Sequence, residues 1–84
     1  MNKAREELCK ISAKLASRLR DEGTLWIWAS NGKFSRDEVR DICIDWLNRK
    51  YFLGSGPKKV EVCMQYVERA YRIELLKLIE GSKI

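Results

Sequence analysis

Histidine is absent from this chain, which removes the Ser-His-Asp and Cys-His arrangements of nucleophilic catalysis and every zinc site that uses imidazole. Cysteine is scarce: Cys9, Cys43 and Cys63 are odd in number, far apart and include no Cys-x-x-Cys pair. A thiolate metal site would therefore need a second subunit, and the pattern is unlike a secreted disulfide framework. Each cysteine reads as a small core side chain in a reducing, cytoplasmic setting. Long apolar runs are missing too. Leu25 to Ala29 is the longest uninterrupted one, far short of the ~20 residues a bilayer span needs. Met1 to Glu7 runs into charge too early for a signal peptide, so a soluble protein with no membrane contact is expected. Isolated carboxylate pairs are also absent, since acids such as Glu68 stand one turn from a cation such as Arg72 and read as a solvated helix surface. The chain is accordingly expected to be no enzyme and to use no metal and no cofactor.

What is present is a short globular composition. The 84 residues are 45% apolar and 35% charged, which implies one folded domain near the size at which a core alone only just offsets chain entropy. A homodimer is one route by which so small a chain gains stability. Seventeen Lys and Arg against twelve Asp and Glu leave a net charge of +5. That balance favours acidic partners, although the signs alternate and no basic block forms.

Periodicity makes the fold all-α. Ala4, Leu8, Ile11, Leu15 and Leu19 form the narrow apolar stripe of a helix over about 2–22, stopped by Gly23. Ser35 and Glu38 form a capping box and Phe34 with Val39 a hydrophobic staple. The helix they start, about 35–53, buries Val39, Ile42, Cys43, Trp46, Leu47 and Leu53 and ends at Gly54. Pro57 opens a third long helix to about residue 80. There Val60, Cys63, Met64, Val67, Tyr71, Leu75 and Leu78 line one side, and Val62, Tyr66, Ile73 and Leu76 collect opposite. A helix apolar on two faces is either central or turns its second stripe to a partner or to its own copy. Residues 24–31 fit a short helix capped by Thr24 and Gly32, or a hairpin turned at Asn31-Gly32. The helix is favoured because Lys33 and Phe34 leave too little chain for a returning strand. The expected architecture is a compact bundle of three long helices plus one short one.

Residues 31–39, Asn-Gly-Lys-Phe-Ser-Arg-Asp-Glu-Val, resemble the second half of an EF-hand calcium loop. Counting back from Gly32 as the sixth position puts Ile27 and Ala29 where oxygen ligands are required, so such a loop could not hold calcium in the usual way. The cap and staple account for the same residues.

Two groups of side chains are candidates for contact. Lys58 and Lys59 occupy the first turn of a helix after Gly54-Ser55-Gly56-Pro57, where cations oppose the macrodipole. A phosphate or carboxylate would relieve that opposition, with Arg36 and Arg40 as further cations of an anion site. Trp26 and Trp28, two apart on a helix, point about 200° from each other, so one of them, taken to be Trp26, lies off the core face. With the stripe of Val62, Tyr66, Ile73 and Leu76 it forms the expected partner-binding surface. The leading expectation is a protein-binding module, an adaptor or small inhibitor acting on a larger protein complex, a class that mobile genetic elements use as anti-defence proteins. The alternative is binding of nucleic acid through its phosphate backbone, without sequence specificity, by Lys58, Lys59 and neighbouring arginines.

Overall fold

The computed structural model describes residues 3–51, 54 and 56–81, and every regular element among them is helical. Helix α1 spans Lys3–Asp21, α2 Thr24–Asn31, α3 Arg36–Asp45 and α4 Pro57–Gly81, with a π-helical turn, Trp46–Lys50, continuing α3. The all-α bundle expected from periodicity is the fold that forms.

The short second helix is set by two glycines. Gly23, at φ 81°, takes a left-handed conformation that ends α1 with its N–H on the Arg20 carbonyl at 3.0 Å, while its own carbonyl accepts from Ile27 N–H at 3.0 Å. One residue thus closes one helix and opens the next. Thr24, expected as the cap, is instead the first helical residue, because Gly23 already holds the N-cap position. Gly32, at φ 66°, closes α2 by donating its N–H to the Trp28 carbonyl. A hairpin at Asn31-Gly32 is replaced by this helix end.

Ser35 caps α3 as the pattern predicts, its hydroxyl accepting from Glu38 N–H at 3.5 Å. The predicted single helix to Leu53 changes character after Asp45. Trp46 N–H is shared between the carbonyls of Cys43 and Ile42, and its indole Nε1 donates to the Ile11 carbonyl at 3.1 Å. This tertiary anchor accompanies the widened turn, a local choice that propensity does not contain. Leu53 lies outside the described residues.

Helix α4 packs against α1, α2 and α3 and is the central element. Leu25, Val39, Cys43, Leu47, Cys63 and Val67 form the most deeply buried part of the core, with Ile11, Leu15, Leu19, Trp28, Val60 and Met64 around them. Phe34 stands between Trp28 (5.7 Å, edge-on) and Tyr71 (4.2 Å, stacked), fixing the α2–α3 connection onto α4. Ser12, the buried polar residue of α1, donates to the Leu8 carbonyl at 2.8 Å, and no buried side-chain nitrogen or oxygen among the described residues lacks a partner. No helix among them is long and apolar enough to cross a membrane.

Candidate interaction surfaces

A helix only eight residues long must be held by a few anchors. In α2 these are Leu25 and Trp28, both buried. At 100° per residue the positions between them turn outward. Trp26 is accordingly 54% exposed and Ile27 49%. No charged residue occurs between Thr24 and Asn31. The surface of α2 is thus chargeless, with the apolar Trp26 and Ile27 exposed beside the uncharged polar Ser30 and Asn31, and with Arg20, Asp21 and Glu22 before it and Lys33 after it. Trp26 lies off the core as the two-residue spacing requires. Ile27 was not singled out by the sequence pattern, although its position two residues after Leu25 carries the same signal.

The second stripe of α4 is divided along its length. Val62 and Tyr66 are half-buried. Val62 shares a groove with Ala4, Arg5 and Leu8 of α1. Tyr66 hydrogen-bonds with Cys9, which raises its phenol above the ordinary value, with partial desolvation adding to the effect. The Arg69 guanidinium lies 5.7 Å from the Tyr66 ring centre. These two side chains therefore serve the α1–α4 contact. Ile73 and Leu76 are exposed at 50% and 56%, and Ile79, one turn on, at 45%. The fully buried positions of α4 end at Val67. Its last third keeps an aliphatic face in solvent.

The four cations proposed as one anion site are placed in two clefts. Lys58 and Lys59 line the groove between the starts of α1 and α4, beside Arg5 and Glu7. Arg36 and Arg40 line a separate cleft between α3 and α4, with the carboxylates of Asp37 and Glu61. Arg36 Nε lies 3.2 Å from Glu68 Oε1. That pair also replaces the expected Glu68–Arg72 pairing within α4: an arginine on the facing helix offers Glu68, only 23% exposed, a contact that joins two elements.

Cys43 and Cys63 meet in the core as a hydrogen-bonded thiol pair. The hydrogen bond with Cys63, and then burial, holds the Cys43 thiol well above the ordinary thiol value. Both thiols are free and buried, and Cys9 is half-buried. Among the described residues no group of three or more Cys, Asp or Glu could hold a metal ion. Comparison with known proteins finds no matching family model, curated protein or solved structure.

Proposed function

We propose that this chain is a non-enzymatic protein-binding module, an adaptor or small inhibitor that docks on a larger protein or protein complex and works in the reducing cytoplasm. The observation that carries this reading is the α2 surface: an eight-residue helix without charge that holds a tryptophan and an isoleucine about half exposed. Interface centres are depleted of charge and enriched in aromatic residues, and tryptophan is prominent among hot spots. The charged residues at either end of α2 would form the polar rim that sets orientation. Retention of one stoichiometric protein from a native lysate of the source cells, lost in Trp26→Ala with the fold intact, is the expected result; retention unaffected by Trp26→Ala contradicts the reading.

A second reading is favoured by the groove where Arg5, Lys58 and Lys59 face a single carboxylate, Glu7. It is a non-specific contact with a nucleic-acid backbone, whose affinity would fall steeply with salt and with Lys58→Ala/Lys59→Ala. Absence of binding to DNA or RNA at low salt removes it.

A further inference from the structure

The exposed end of α4 has an internal symmetry. Leu76 lies at the middle of the solvent face, with Ile73 three residues before it and Ile79 three residues after. Arg72 stands four residues before it and Glu80 four residues after, both exposed. On a helical projection these four flank Leu76 within about 60° on either side. Among the described residues neither Arg72 nor Glu80 has an ion-pair partner, and the pair at this end of the helix is Lys77–Glu74, at 3.6 Å. Arg72 and Glu80 cannot reach each other within one chain, being about 12 Å apart along the axis.

We infer that this face is a self-association surface, on which a second copy of the chain packs antiparallel about a two-fold axis through Leu76. Such an axis sets each residue a given number of positions before Leu76 level with the residue the same number after it in the other copy. Leu76 meets Leu76, Ile73 is level with Ile79 of the second copy, and Arg72 is level with Glu80 of the second copy, twice. Over residues 72–80 the face matches itself in both apolar character and charge, as an isologous two-fold interface requires. A different protein would have to supply the same alternation independently. The inference deepens the reading of exposed apolar faces as contact surfaces and leaves Trp26 and Ile27 outside the dimer seam.

Six aliphatic side chains make a small interface, at the low end for specific association, so the dimer is weak and concentration-dependent. Sedimentation equilibrium of the purified chain from about 10 µM to about 1 mM tests it, in a range where weak dimers are populated. The apparent mass is expected to rise from 9.9 kDa toward twice that value. Leu76→Glu should hold the chain monomeric with an unchanged far-ultraviolet circular dichroism spectrum. Arg72→Glu and Glu80→Arg alone should each weaken the dimer, by roughly tenfold, and the combined swap should restore it to within about twofold, as expected for mobile exposed ion pairs acting in duplicate. A monomer at about 1 mM, a dimer indifferent to Leu76→Glu, or a double swap that fails to recover overturns the inference. These measurements use no other protein, so their failure is distinct from failure of Trp26-dependent capture.

Discussion

The indole Nε1 of Trp46 donates to the backbone carbonyl of Ile11 at 3.1 Å, joining the π-helical turn after α3 to the middle of α1. The same ring has the Arg18 guanidinium 5.6 Å from its centre and Tyr51 edge-on at 5.4 Å. Trp46→Phe keeps most of the apolar bulk and removes the N–H. A loss of about 1 kcal/mol is expected for the hydrogen bond, with some packing loss added. Urea unfolding should show a lower midpoint at unchanged slope. An unchanged midpoint would mean that the bond does not hold the π-helical turn to α1.

Phe34 and Trp26 should respond in opposite ways to truncation. Phe34 lies between Trp28 and Tyr71, and Phe34→Ala should destabilise by roughly 2–3 kcal/mol through lost burial and ring contacts. Trp26, half in solvent, should change stability by no more than about 0.5–1 kcal/mol on replacement by Ala. Thermal melts of the two variants check this. Equal destabilisation would show that Trp26 is a structural residue, and would remove the basis for a docking role.

The contrast shows what the sequence carried and what it did not. The stripes of α1 and α4, the Ser35 cap and the entry at Pro57 are local, and each was legible because spacing or capping chemistry decides it. The outward turn of Trp26 followed from the same geometry. Division of the Val62–Tyr66–Ile73–Leu76 stripe was not legible, because it depends on which of these residues face α1 in the folded chain, a tertiary quantity. Separation of Lys58 and Lys59 from Arg36 and Arg40 was hidden for the same reason, since helix α4 passes between residues that charge alone would group. The Arg36–Glu68 pair and the π-helical turn at Trp46 likewise depend on neighbours distant in sequence.

Ser35 accepts from Glu38 N–H at the start of α3. Ser35→Ala should cost about 1 kcal/mol, and Ser35→Asp should retain most of the stability, because an aspartate serves both as a cap acceptor and as a charge suited to the helix start. Chemical denaturation of the two variants distinguishes them. Equal losses would mean that the hydroxyl contributes by packing.

The thiols divide by burial. Cys43 and Cys63 are enclosed, and Cys9 is partly accessible. A thiolate is the reactive form, and the hydrogen bond and burial that raise the Cys43 value keep that thiol protonated at neutral pH. In the native protein a thiol-disulfide reagent should label Cys9 first, with Cys43 and Cys63 labelled only at the rate of unfolding. Simultaneous labelling of all three under native conditions would show that the α3–α4 contact opens locally.

Docking through Trp26 is distinguished from nucleic-acid binding by what co-purifies with the wild-type chain, Trp26→Ala and Lys58→Ala/Lys59→Ala, each at about 50 mM and about 200 mM salt, a range over which backbone contacts with nucleic acid weaken strongly. One stoichiometric protein is expected at both salt concentrations, retained by the double lysine variant and lost from Trp26→Ala. Recovery of nucleic acid alone, retained by Trp26→Ala and lost with the lysines or with salt, would contradict docking through Trp26.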